Sequence, residues 1–212
     1  MKNIIFVAPP AAGKGTISSL LVDKFNYYHV STGDELRNRV LNGDTEIKNL
    51  IESGKLVSDE IITSVIEDKI NDLKGRPFIL DGCPRTLNQA EILDEKLNAD
   101  GILNNVVFKF NIDLDVAKNR ILGRVVCKCG KSYNIYNEAY KPKQDGICDS
   151  CGSILEHRKD DDPIKVENRF LEYEKNVESI TKFYKEKNLL IEFDVNNGVE
   201  EIFSNIEDYI ND

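Results

Sequence analysis

Long apolar runs are missing from this 212-residue chain. The N-terminal run Ile4-Ile5-Phe6-Val7 is far too short to span a bilayer or to form the apolar part of a secretory signal. Membrane association is therefore not expected, and the expected address is the cytoplasm. Positive charge is also in the minority: 28 basic residues face 37 acidic ones, for a net charge of −9. That balance argues against a general nucleic-acid binder, so any phosphate site must be a local basic pocket. Histidine is scarce, with two residues, His29 and His157, both read as structural, and no Ser/His/Asp constellation is evident. Internal repeats and low-complexity tracts are lacking as well. Of only five cysteines, four cluster between Cys127 and Cys151. In a reducing compartment such a cluster reads as a metal site more readily than as disulfides.

The chain is 41% apolar and 31% charged, which suits one α/β domain with small insertions. Short β-favouring runs at Ile4–Val7, Tyr28–Val30, Phe78–Leu80, Val106–Phe110 and Leu189–Phe193 predict strands. Helical stretches alternate with them, at Asp34–Leu41, Asp59–Leu73, Thr86–Lys96 and Leu114–Gly123. A last long helix carries Val166, Phe170, Tyr173, Val177, Ile180 and Tyr184 on one stripe, with Asp162 as N-cap and Pro163 in its first turn. Alternation of this kind predicts a parallel sheet of about five strands flanked by helices, with ligands at the carboxyl ends of the strands.

Between the first strand and first helix lies Ala8-Pro9-Pro10-Ala11-Ala12-Gly13-Lys14-Gly15-Thr16. A phosphate loop belongs there, because successive backbone N–H groups and a helix N-terminus attract anions. Lys14 would sit over the β- and γ-phosphates and Thr16 beside a nucleotide-bound magnesium ion. Two more segments end strands and enter helices: Ser31-Thr32-Gly33-Asp34-Glu35-Leu36-Arg37, and Asp81-Gly82-Cys83-Pro84-Arg85-Thr86 with Gln89 one turn on. Arginine clamps phosphate because its planar fork bonds two oxygens at once. Asp81 could hold magnesium-bound waters. Arg120 and Arg124, four apart, share one helix face.

Cys127-Lys128-Cys129 and Cys148-Asp149-Ser150-Cys151 give C-x-C, an 18-residue gap, then C-x₂-C. Four thiolates suit a closed structural zinc site without a catalytic position. A zinc-ribbon interaction module is the rival reading. Its weakness is that Lys14, Arg37 and Arg85 would have no purpose in it, and that acidic Glu138, Asp145 and Asp149 dilute the local lysines.

These segments, with Gly54-Lys55-Leu56-Val57-Ser58-Asp59-Glu60, resemble in order and spacing the adenylate kinase family, long type, from Lys2 almost to the C-terminus. The resemblance implies a P-loop NTPase fold with a helical monophosphate-binding insertion and a zinc-held lid. The implied division is a core of residues 1–30, 61–124 and 163–212, the insertion 31–60, and the lid 125–162. It implies ATP contacts from Ala11, Ala12, Gly13, Lys14, Gly15, Thr16 and Arg124, with Ser132 and Asn197 near the donor adenine and Tyr133 packing on that base. AMP contacts would come from Thr32, Arg37, Lys55, Leu56, Val57, Gly82, Cys83, Pro84, Arg85, Gln89, Arg158 and Arg169, with Gln89 reading the adenine edge. Arg120, Arg124, Arg158 and Arg169 would close over the transferring phosphate, with Asp160 and Asp161 orienting them. The implied reaction is ATP + AMP giving two ADP, by a monomer with magnesium and structural zinc; a UMP/CMP kinase or a nucleotide-sensing protein are the alternatives.

The match has departures. Ala8 and Ala11 replace glycines usual in the family's loop, Cys83 a phenylalanine, and Val125 a second consecutive arginine. The first cysteine pair is one residue shorter than usual, which leaves the geometry of Cys127 and Cys129 open.

Overall fold

The apolar run at the N-terminus becomes the middle strand of a parallel sheet, as its lack of polar residues demands. In the computed structural model, which describes residues 1–53, 55–73, 75–158, 161–196 and 200–211, this strand is β1 (Asn3–Val7). The remaining sheet strands are β2 (Tyr28–Ser31), β3 (Phe78–Asp81), β4 (Asn105–Asn111) and β7 (Leu190–Asp194). Their order is β2-β3-β1-β4-β7, and every pairing is parallel. The expected five-stranded sheet is present.

Successive residues of a strand face opposite ways, and both faces are buried. Ile4 and Phe6 with Phe108 and Phe110 point to one core, where α1 (Lys14–Phe25) and α8 (Glu200–Asn211) pack. Ile5 and Val7 with Val107 point to the other, against α4 (Asp59–Asp72) and α5 (Leu87–Ala99). Helix α7 (Pro163–Glu186) serves both, through Phe170 in the first core and Ile180 and Tyr184 in the second. Asp162 caps it, accepting from the Ile164 and Lys165 N–H groups at 2.9 and 3.3 Å, and Pro163 opens it.

The second stretch of the chain adds α2 (Thr32–Leu41) and α3 (Thr45–Ser53). Helix α3 is not among the sequence expectations, although Asp44 caps it by accepting from the Ile47 N–H at 3.0 Å. After α6 (Leu114–Leu122), the cysteine-bearing stretch forms a two-stranded antiparallel ribbon, β5 (Arg124–Val126) and β6 (Ser132–Asn134), followed by a single 3₁₀ turn at Glu138–Tyr140. Its strand-and-turn character follows from the missing helical stripe. No helix among the described residues is long and apolar enough to cross a membrane.

Candidate functional site

At the carboxyl edge of the sheet, β1 runs into the loop that ends at Gly13, the N-cap of α1. Gly13 adopts φ 88°, no side chain caps the helix, and no acidic residue occupies its first turn. The helix start therefore offers its N–H groups to a ligand. An open cavity of about 400 Å³ lies in front of it, lined by Ala11, Ala12, Gly13, Lys14, Gly15 and Thr16. Seven cationic side chains reach the same cavity: Lys14, Arg37, Arg85, Arg120, Arg124, Arg158 and Arg169. Among the described residues, two carboxylates, Asp34 and Asp81, line it with them.

Several elements deliver these cations. The Lys14 ammonium donates to the carbonyls of Ala8 and Pro9, at 3.2 and 3.0 Å, which folds the side chain back over its own loop. Burial pushes its pKa down to about 8; Arg85, Arg169 and Arg124 add to this, and Asp81 opposes it. Asp81 ends β3. Burial favours its neutral form, but Lys14, Arg85 and the neighbouring imidazole of His29 outweigh that and hold the carboxyl down at about 2. His29 Nε2 stands 3.7 Å from Asp81 Oδ2, a contact longer than an ordinary hydrogen bond. Asp81 is thus an anionic oxygen donor facing Lys14 and Thr16, a chemistry that fits a hard divalent cation.

Arg37 pairs with Asp34 one turn earlier on α2, at 2.6 Å. Arg85 Nε donates to the Gly82 carbonyl at 2.8 Å. Gly82 has φ 93°, and a Cβ there would stand 2.4 Å from Thr32 Oγ1, so the approach of β3 to α2 requires glycine. Arg120, at the end of α6, donates to the carbonyls of Val195 and Asn196 beyond β7. Arg124 makes a two-toothed ion pair with the buried carboxylate of Asp161, its Nε donating at 2.7 Å. Burial, with Arg124 and Arg37 close by, lowers the pKa of Arg158. Like charges are crowded here, which an anionic ligand would relieve.

A second, tighter cavity of about 50 Å³ opens beside the first. Thr32, Lys55, Leu56, Val57 and Gln89 line it, and Arg37, Arg85 and Arg169 line both cavities. The arginines therefore stand where the contents of the two would meet. Pro84 borders a third cavity of about 60 Å³, which Ala8, Pro10 and Lys14 also line. Cys83 reaches none of the three: its side chain is buried in the core, leaving only its backbone for a ligand. Asn197 and Asp160 lie outside the described residues. Asn137, Tyr140 and Asn196, absent from the sequence expectations, also line the large cavity.

Ser132 and Tyr133 of β6 form part of its wall. The Tyr133 hydroxyl lies 3.4 Å from Cys148 Sγ and accepts from the Asp149 N–H at 2.9 Å, so it also supports the cysteine cluster. The sulfurs of Cys127, Cys129, Cys148 and Cys151 all lie within 4.8 Å of one another. Two of the separations are 3.3 and 3.7 Å, against about 3.8 Å between sulfurs of a tetrahedral zinc site. The shortened C-x-C pair closes because the chain turns tightly: Gly130, with φ 92°, donates to the Cys127 carbonyl, and Cys127 donates to that of Lys131. Val125 is buried with the cluster rather than facing the cavity.

A parallel α/β fold with a strand–loop–helix anion site and a cation-lined double cavity defines a phosphate-loop nucleotide kinase fold. Comparison with known proteins agrees. The family model described as adenylate kinase matches residues 6–189. The chain is 41% identical to an adenylate kinase of Borrelia duttonii (strain Ly), covering 98% of this chain and 97% of that one. It is 37% identical to those of Clostridium tetani (98% and 98%) and Methanosarcina acetivorans (97% and 96%). The chain belongs to the adenylate kinase family.

Two consequences of the site geometry are measurable. Ala11 has φ 59°, a left-handed backbone that costs a non-glycine residue about 1–2 kcal/mol. Ala8, in contrast, is not among the described positive-φ residues. Ala11→Gly is expected to stabilise the protein by about 1 kcal/mol in urea denaturation, after glycine's greater unfolded-state entropy is counted; a loss of stability would contradict the strained loop. For Lys14, the folded value of about 8 lies below the ordinary 10.5. The penalty, about 3 kcal/mol, is therefore full below pH 8 and fades as pH rises towards 10.5. Wild type should gain stability relative to Lys14→Met between pH 7 and 10, and a pH-independent difference would refute this.

Proposed function

We propose that the chain catalyses the reversible, magnesium-dependent transfer of the terminal phosphoryl group of ATP to AMP, giving two ADP. The observation that carries this reading is the sharing of Arg37, Arg85 and Arg169 between two cavities of unequal size. The larger, with the phosphate loop and Arg124, suits the triphosphate; its wall at Ser132 and Tyr133, with Asn197, would hold the donor base. The smaller, with Thr32, Lys55, Leu56, Val57, Gln89 and the Gly82–Arg85 segment, suits the monophosphate. The names of the relatives support the same pair of nucleotides.

The attacking group in this reading is a phosphate oxygen of AMP, already anionic near neutral pH because its second ionisation lies near pKa 6. No general base is required to activate it. Lys14, Arg120, Arg124, Arg158 and Arg169 align the phosphates and neutralise charge as it shifts between them. Thr16 and Asp81 would hold magnesium, which supplies further charge neutralisation on the triphosphate. Residues 31–60 and 125–162 act as insertions that close over the core and exclude water, which would otherwise accept the phosphoryl group. Cys127, Cys129, Cys148 and Cys151 would hold structural zinc, which ties the lid together.

The test is product analysis with purified protein, Mg-ATP and, separately, AMP, CMP, UMP or GMP. ADP formation with AMP is expected to exceed that with any other acceptor by at least tenfold. Preference for CMP or UMP would reassign the acceptor, and binding without transfer to any acceptor would replace the enzyme with a nucleotide sensor. Metal analysis of the same sample should give one zinc per chain, reduced by Cys148→Ser; full zinc content in that variant would overturn the four-sulfur site.

A further inference from the structure

Gln89 is a nearly fully buried polar side chain, 3% exposed, on the wall of the smaller cavity. Half of its hydrogen-bonding capacity is already used by the protein. Its Oε1 accepts from the Arg85 N–H at 2.7 Å, and its Nε2 donates to Asp59 Oδ1 at 2.8 Å. Asp59 is the first residue of α4 and bonds directly to the start of α5. Its carboxylate also accepts from Asn88 Nδ2 at 2.7 Å and lies 3.2 and 3.3 Å from Thr86 Oγ1. Three donors from the start of α5 thus converge on one carboxylate of another helix.

The chemistry of these partners leaves Gln89 one orientation. A carboxylate only accepts, and a backbone N–H only donates. Turning the amide over would set its oxygen against the Asp59 carboxylate and its NH₂ against the Arg85 N–H, two buried clashes at once. The remaining N–H and the remaining oxygen lone pair are therefore presented to the cavity in a fixed order. A free glutamine could turn to match either a 6-amino purine, which offers a donor at position 6 and an acceptor at N1, or a 6-oxo purine, which offers the reverse.

We propose that Asp59 is a positioning residue for acceptor choice: by locking the Gln89 amide, it makes the site discriminate a 6-amino purine monophosphate from its 6-oxo counterpart. The proposal rests on the reading of the smaller cavity as the monophosphate site. Asp59 touches no substrate in it and acts through Gln89 alone. Asp59→Ala breaks the lock, because it removes the carboxylate oxygens that accept from Gln89 Nε2.

The experiment compares kcat/KM for AMP with that for inosine monophosphate, a purine of the same size with the edge pattern reversed. Asp59→Ala is expected to reduce the AMP preference at least about tenfold, in line with the value of one bidentate base contact. The change should fall in KM for the acceptors, with KM for ATP close to wild type. In a Gln89→Leu background, the same substitution should leave the ratio unchanged. Asn88→Ala, which removes another partner of Asp59 without freeing the amide, should keep the AMP preference. Asp59→Ser, which keeps a polar residue after the Ser58 N-cap of α4, takes the place of the alanine variant should that one not fold. An unchanged ratio in the folded Asp59 variant, or an equal loss in the Gln89→Leu background, overturns the proposal. Absence of AMP phosphorylation by wild type would instead overturn the assignment of the cavity.

Discussion

Seven cationic side chains share one cavity in a chain whose net charge is −9, and the elements around that cavity are arranged to hold them there. Lys14 comes from the start of α1, Arg37 from α2, Arg85 from the turn after β3, Arg120 and Arg124 from the end of α6 and the start of β5, Arg158 from the stretch before α7, and Arg169 from α7. Such convergence is unfavourable without anions; burial lowers the pKa values of Lys14 and Arg158, and the neighbouring arginines add to it. The sheet makes the arrangement possible. Its parallel strands bring successive loops to one edge, and its two apolar cores fix the helices that carry the side chains. The carboxylates are sparse by comparison. Asp81 faces Lys14, Asp34 holds Arg37, and Asp161 holds Arg124, so several cations are aimed as well as gathered.

The cysteine-bearing ribbon meets a different constraint. Its apolar centre amounts to Val125, Cys127, Cys148 and Leu155, with Tyr133 and Ile135 packed against them, too little to fold such a segment alone. Binding zinc to a four-thiolate site is worth about 10–16 kcal/mol in small peptides, enough to make up the deficit. The ribbon also contacts the core through charge: Lys131, beside the first cysteine turn, pairs with Asp23 of α1 at 2.8 Å. A surface ion pair of this kind contributes little, so the ribbon is not fastened to α1 by it.

Much of the fold was legible because the signals were local. A β-favouring run, a Gly-Lys-Gly-Thr turn and an apolar stripe specify β1, the loop and α1 with no long-range information. The six-residue stripe from Val166 to Tyr184, with its Asp-Pro start, does the same for α7. Helix α8 carried a readable signal too, in the buried Ile202, Ile206 and Ile210 four apart, and was overlooked because it follows the last strand. Site residues on irregular backbone were harder. Asn137, Tyr140 and Asn196 reach the cavity from turns, where no periodicity announces a facing side chain. The strain at Ala11 was visible only as a possibility of composition, since φ is set by the loop as a whole. The shortened cysteine pair shows the converse case, where backbone turning at Gly130 restores what spacing alone left open.

In the proposed reaction one continuous set of cations serves the phosphates of two nucleotides at once. The stoichiometry of ADP binding at equilibrium, measured calorimetrically with magnesium present, tests this. Two ADP per chain are expected, one displaced by ATP and the other by AMP. A single ADP site, or two sites that both yield to ATP and ignore AMP, would contradict it.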